Sequence, residues 1–163
     1  MTIIFQKNIL KYILPLFYKI MSFKENIHLK KVDSSDHEFL FQLLKNRDPN
    51  SNISHKMMPS FNEHVKFVTS EPYSIWYVII YNEKKSGSIY LSKQNEIGIF
   101  LINDMKGKSI GKIALELLMK KHPRDRYLAN INPNNKQSLK FFEKNNFKLI
   151  QYTYEIIKKN QNE

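Results

Sequence analysis

Residues 105–115 read MKGKSIGKIAL, in which two glycines, three lysines and a serine stand directly ahead of an apolar run with helical spacing. Small residues at such a place let consecutive backbone N–H groups converge on one anion, and the dipole of the helix that follows favours negative charge there. Two familiar phosphate loops fail on spacing. A nucleoside-triphosphate loop needs four residues between its first glycine and a Gly-Lys-Ser/Thr; Gly107 and Gly111 enclose too few, and Ile113 stands where the metal-binding hydroxyl belongs. In the other register, Gly107-Lys108-Ser109 would need a glycine at Ile102. A dinucleotide fingerprint needs a further glycine that the loop lacks. An anion-holding loop and an ordinary basic helix start both remain.

Working outward, NEIGIFLI (95–102) reads as a strand, so the loop joins a strand to a helix that runs to about Lys121. Before it, YSIWYVIIY (73–81) is aromatic and β-branched and reads as a buried strand, with Asn82 to Lys85 a polar turn and SGSIYLS (86–92) its hairpin partner. IHLKKV (27–32) reads as the first strand. Ser34 or Ser35 then caps a helix with Phe39, Leu40, Leu43 and Leu44 on one face, which Asp48-Pro49-Asn50 ends. A polar loop with His55 and two methionines follows, and Ser60-Phe61-Asn62-Glu63 matches the capping box of a second short helix. Past the central helix come a strand RYLANI (126–131), a helix NKQSLKFFEKN (135–145) and a final strand FKLIQYTYEII (147–157). The order β-α-α-β-β-β-α-β-α-β predicts one α/β domain on a central mixed, largely antiparallel, twisted sheet flanked by about four helices. Residues 22–158 are its expected extent, with a polar tail at 159–163.

Residues 1–21 differ in composition. MTIIFQKNILKYILPLFYKI carries Lys7, Lys11 and Lys19, no acid, and an apolar majority interrupted by Pro15. A membrane span needs about 20 predominantly apolar residues, and no small-residue cleavage site follows as in a signal peptide. Two readings stand: a loosely attached extension with Met21 as the functional start, or a short basic amphipathic helix lying on a membrane or on the domain. The chain has 163 residues, 42% of them apolar, which suits one compact domain. It has no cysteine, which excludes disulfides and thiolate metal sites and fits a cytoplasmic setting. No metal site is expected. A formal net charge of +11 favours anionic partners without choosing among them. Nucleic acid is not expected, because Trp76, Tyr77 and Phe100 sit in apolar strands and do not alternate with basic residues across one face.

Lys106-Gly107-Lys108-Ser109-Ile110-Gly111 resembles the Gln/Arg-x-x-Gly-x-Gly/Ala acyl-CoA loop of the GNAT N-acetyltransferases, and INPNNKQSLKFFEKNNF (131–147) is similar to that family's second signature, V-x-P-x-N-x-x-S/A-x-x-x-Y-E-K-x-G-F. Order and separation match, and the resemblance covers about Ile27 to Ile157. It implies acetyl-CoA as co-substrate, backbone pairing of Phe100, Leu101 and Ile102 with the pantetheine arm, and Lys106, Gly107, Lys108, Ser109, Ile110, Gly111 and Lys112 around the pyrophosphate. Asn135 and Ser138 would meet the pantetheine end, although Asn135 also reads as a plain helix cap. Lys140 and Lys144 read as solvated helix charges that could reach the adenosine phosphates. Four departures stand out. Lys106 keeps the charge of the usual Gln or Arg position without a planar fork. Ser109 replaces a loop glycine, which is tolerable with a negative φ. Phe142 takes the place of the tyrosine that protonates the leaving thiolate in many members. Asn146 replaces the glycine before Phe147, and asparagine accepts a left-handed backbone best among non-glycine residues.

The reaction so implied moves an acetyl group to a primary amine of a small molecule (an amino sugar, amino acid or polyamine-like compound) by direct attack in a ternary complex. A protein N-terminus or lysine as acceptor, and a non-catalytic acyl-CoA-binding or nucleic-acid-binding module, are the alternatives. The amine must lose a proton. Glu96, alternating with Gly98 and Phe100 beside the cleft, is a candidate base or else a solvated edge charge. His55, in the loop on the acceptor side, is a candidate base, an acceptor contact or a structural hydrogen bond. Tyr152, or Tyr154, on the last strand is a candidate proton donor in place of Phe142, or core. The expected assembly is a monomer or homodimer.

Overall fold

The computed structural model describes Phe23, residues 26–51, residues 57–154 and Ile156. The N-terminal extension, His55 and the tail 159–163 lie outside the described residues. Four strands, β1 (Ile27–Lys31), β2 (Ile75–Tyr81), β3 (Lys84–Leu91) and β4 (Ile97–Leu101), pair in sequence order, each antiparallel to the next. The β2–β3 hairpin is tighter than expected. It turns on Asn82 and Glu83 alone, both with positive φ (47° and 59°), the backbone combination whose twist matches that of the strands. Lys84 and Lys85 therefore open β3.

Among the described residues, the complete α-helices are α1 (His37–Lys45), α2 (Phe61–Thr69), α3 (Ile110–Lys121) and α4 (Lys136–Lys144). One face carries Ile27, Leu29, Tyr77, Ile79, Ile89, Leu91 and Ile97, buried with Ile110, Ile113, Ala114, Leu115 and Leu118 of α3. Each such large side chain contributes about 1.5–3 kcal/mol relative to exposure. Across the sheet, Val78 and Ile80 are buried, as are Leu40 of α1 and Val68 of α2. The apolar rows read from the sequence thus become two layers, one on each face of the strands.

The helix ends follow local chemistry. Ser60 and Glu63 form the expected capping box on α2, Ser60 Oγ accepting from Glu63 N and Glu63 accepting from Ser60 N. The cap before α1 differs from expectation. Asp33, and not Ser34 or Ser35, accepts from Ser35 N, and Asp36 accepts from Asp33 N, around a one-turn 3-10 segment Ser34–Asp36. A carboxylate outcompetes a hydroxyl here because Lys30 donates to both Asp33 and Asp36. At the end of α4, Asn146 takes φ 67°. Phe147 N donates to Phe142 O and Asn146 N to Glu143 O, and the Phe142 and Phe147 rings pack with centroids 5.0 Å apart. That is the left-handed helix stop with its apolar clasp, the role read for Asn146.

Two expected strands are absent from the described residues. RYLANI supplies one isolated parallel bridge, Leu128 to Glu96, held by Leu128 N to Asn95 O and Ile97 N to Leu128 O. Beyond it the segment leaves β4, so one bridge is all that makes the sheet mixed. The described part of FKLIQYTYEII forms no strand, and Leu149, Ile150, Tyr152, Tyr154 and Ile156 are exposed. The adjacent pair Leu149-Ile150 breaks the two-residue alternation that would give a strand one buried face. No helix among the described residues is long and apolar enough to cross a membrane.

Candidate active site

Among the described residues β4 is the last strand of the sheet, and nothing pairs with its outer edge once the bridge at Leu128 ends. Ile97 N–H points outward to Leu128 O, whereas Ile102 N–H points inward to Ser86 O. With a two-residue period, the backbone groups of Ile99 and Leu101 also face outward, and those of Phe100 face β3. An extended ligand would pair with Ile99 and Leu101, which shifts by one residue the pairing expected for Phe100 to Ile102. A cavity of about 1020 Å³ lies along this edge, walled by β4, the end of α1, the start of α3 and α4. Every residue expected to hold the cofactor lines it except Lys108.

At one end of the cavity the quoted loop becomes a built anion cradle. Gly107 takes φ 74° and Ser109 φ 60° before α3 begins. No side chain caps the helix and its first turn holds no acid, so the N–H groups of Ile110, Gly111 and Lys112 keep their donor capacity for a ligand. Ser109 thus departs from the negative φ expected of it. The turn into α3 demands a left-handed residue, and serine bears the strain. Nothing lies within 4 Å of where a Cβ on Gly107 would sit, whereas one on Gly111 would come within 3.2 Å of the Phe141 ring and 3.5 Å of Leu101. Gly111 is small so that α4 can close on α3, and Gly107 so that the backbone can turn.

Asn135 has both roles read for it within reach. Its Oδ1 accepts from Ser138 N as a cap and its Nδ2 donates to Ser51 Oγ at 3.0 Å, joining α4 to the chain after α1. Lys140 and Lys144 line the cavity. Phe141 lines it as well, while Phe142 is buried against Phe141 and Phe147. No group of three His, Cys, Asp or Glu among the described residues could hold a metal ion.

The candidate proton-transfer groups are not brought together. Glu96 lies just before β4 and is not among the cavity-lining residues. Its carboxylate accepts from Asn130 Nδ2 at 2.7 Å and Ser92 Oγ at 3.3 Å, which fixes it at the point where the Leu128 segment diverges. Tyr152 is three-quarters exposed and Tyr154 more so; neither lines the cavity. The expectation that their stripe would be core fails with the strand. Gly98 makes room for a neighbouring side chain: the Tyr90 ring lies 2.1 Å from where its Cβ would be. Tyr90 stacks face to face on Tyr73 with centroids 3.8 Å apart. Burial holds both phenols above the ordinary tyrosine range.

Arg47, Tyr73 and Tyr90 were missed by sequence reasoning. Arg47 lines the cavity with its guanidinium 4.0 Å from the centroid of the Phe100 ring. One signal was available: it is one of three arginines in a chain whose 26 basic residues are otherwise lysine.

A free strand edge running into an uncapped, basic helix start suits a long, extended carrier with an anionic end. The model of the acetyltransferase (GNAT) family matches residues 38–147. The chain belongs to that family, and it is an acetyl-CoA-dependent N-acetyltransferase. No protein with a curated description matches it in sequence. Among solved structures, it is similar to a domain from Methanocaldococcus jannaschii DSM 2661 (26% identity, TM-score 0.69, covering 79% of this chain and 92% of that one). RimL, a ribosomal L7/L12 alpha-N-protein acetyltransferase in complex with coenzyme A, matches at 23% identity and TM-score 0.64 over 77% of this chain and 82% of that one. Spermidine N-acetyltransferase SpeG from Vibrio cholerae matches at 14% and 0.59, over 74% and 78%. These last two likenesses bear on the fold.

Proposed function

We propose that the protein acetylates the primary amine of a small molecule by direct attack in a ternary complex. The observation that carries this is the single cavity running from the anion cradle at Gly107 along the free edge of β4 to Phe100 and Arg47. Acetyl-CoA, when bound, supplies the activated thioester. Ile99 and Leu101 offer backbone pairing to its arm, and the first turn of α3 offers N–H groups to its pyrophosphate. Glu96 takes the amine's proton through water, its carboxylate oriented by Asn130 and Ser92. The amine nitrogen bonds to the carbonyl carbon, the carbon–sulfur bond breaks, and water protonates the thiolate, since Phe142 has no proton to give. The site is proposed to work in the cytoplasm.

The test is thiol release from acetyl-CoA in the presence of amine mixtures across pH. Glu96→Gln keeps shape but accepts no proton, so the rate falls by about 10²–10⁴ at low pH, where the amine is mostly protonated, and recovers as pH rises. Acetyl-CoA binding is retained. If His55→Gln reproduces that profile and Glu96→Gln does not, the base sits in the acceptor loop and the assignment to Glu96 is wrong.

A further inference from the structure

Arg47 is a cation that the two family signatures leave unexplained. It follows α1, lines the cavity and stacks on Phe100. Its Nη2 donates to Ser51 O, which fixes the plane of the guanidinium. Its Nε is buried without a hydrogen-bond partner among the described residues. No ion pair joins it to a described carboxylate, and residues 52–56, Asn-Ile-Ser-His-Lys, contain no acid. A guanidinium presents five N–H donors in a flat fork and stays charged. Held half-buried against the Phe100 ring with its Nε unpartnered, the fork keeps donors that an incoming anion would satisfy, and the Asp48 carboxylate lines the same cavity.

Its position separates it from the pyrophosphate cradle. The lysines and free N–H groups of residues 106–112 are at the α3 end, whereas Arg47 lies over Phe100, on the sheet face that also carries Gly98 and Tyr90. Glu96, Gly98 and Phe100 alternate on one face along β4, with Arg47 over the Phe100 ring and the Tyr90 ring over Gly98. A carboxylate and a cation therefore stand toward opposite ends of one row, the arrangement that a molecule with an amine at one end and a carboxylate at the other complements.

We propose that the acceptor is a small amine bearing a carboxylate, and that Arg47 selects it by a two-pronged hydrogen bond to that carboxylate. This rests on the acetyltransferase reading above. A polycationic acceptor is disfavoured, since its second charge would meet Arg47 in a chain of net charge +11.

The test uses the full chain and measures thiol release with acetyl-CoA and paired acceptors: the amino acids, and the amines left by decarboxylating each. In the wild type at least one amino acid exceeds its decarboxylated partner in kcat/KM by tenfold or more. Arg47→Gln lowers kcat/KM for that acid by about ten- to hundredfold, chiefly through KM, as expected for losing hydrogen bonds to a charged group. It brings the ratio of the pair close to one and leaves the acetyl-CoA dissociation constant within twofold. Arg47→Lys, which keeps charge and stem without the fork, gives an intermediate ratio, and it carries the test if Arg47→Gln does not fold. Three results overturn the proposal while sparing the acetyltransferase reading: preference for the decarboxylated amines, turnover with no pair although acetyl-CoA binds, or equal loss for both members of a pair. Failure of acetyl-CoA to bind the wild type would overturn the reading beneath it.

Discussion

Asp36 is the residue whose loss should do most damage at a distance from the chemistry. Its side chain is fully buried at the base of α1, 2.6 Å from Lys30 Nζ and 2.7 Å from Lys85 Nζ, and it accepts a hydrogen bond from Asp33 N at 3.0 Å. Burial pushes its carboxyl up, but the hydrogen bond from Lys30 and the neighbouring Lys85 ammonium outweigh that and hold it below the ordinary carboxylate range. Asp36→Asn keeps the shape, removes the charge and turns an amide N–H₂ toward two ammonium groups. Breaking a buried ion pair by removing one partner costs about 3–5 kcal/mol. Both lysines are about a third exposed, 37% and 35%, and can turn partly to water, so the low end applies, about 3 kcal/mol. In a chain of this size that lowers Tm by about 6–12 °C, read by calorimetry at pH 7. The sign with pH follows from the depressed carboxyl: the stabilisation is present above the unfolded carboxyl value and is lost as pH falls through the folded one, so the gap between wild type and variant closes in acid. Because α1 carries Phe39, Leu43 and the approach to Arg47, all on the cavity wall, acceptor KM should rise with the loss. A variant that melts within 2 °C of the wild type at pH 7 would refute the reasoning, since the carboxylate would then have no net role.

Ser109→Gly relieves a left-handed backbone worth about 1–2 kcal/mol in a non-glycine residue, less about 0.5–1 kcal/mol for glycine's greater freedom when unfolded. Tm should rise by a few degrees with acetyl-CoA affinity undiminished; a fall in Tm would contradict the backbone assignment at residue 109. His64 is buried with its Nε2 unpartnered, and burial, with His37 nearby, depresses its pKa. It therefore costs stability as pH falls below the unfolded histidine value. His64→Leu should flatten the decline in urea midpoint between pH 7.5 and 5.5, with His122, also depressed by burial, accounting for what remains; equal slopes would refute it.

Local chemistry made much of this protein legible in one dimension. The capping box at Ser60, the left-handed Asn146 and the alternation of Ile97, Ile99 and Leu101 depend on neighbours a few residues away, so sequence determines them directly. The loop at Gly107 and the Asn135 helix start were readable for the same reason, and with them nearly every cavity residue on their side. What tertiary structure alone decided lies where the partner is distant in sequence. The free edge of β4 exists because the Leu128 segment pairs once and then leaves, and no local pattern in RYLANI records how long a strand stays paired. Ser109 takes its positive φ at the turn into α3, whose Ile110 and Leu115 are buried in the core, and a serine in a sequence does not announce that conformation. Arg47 looked like one more surface charge, since its burial is conferred by Phe100, 53 residues away in sequence, and charge in a sequence carries no information about the solvent it will lose.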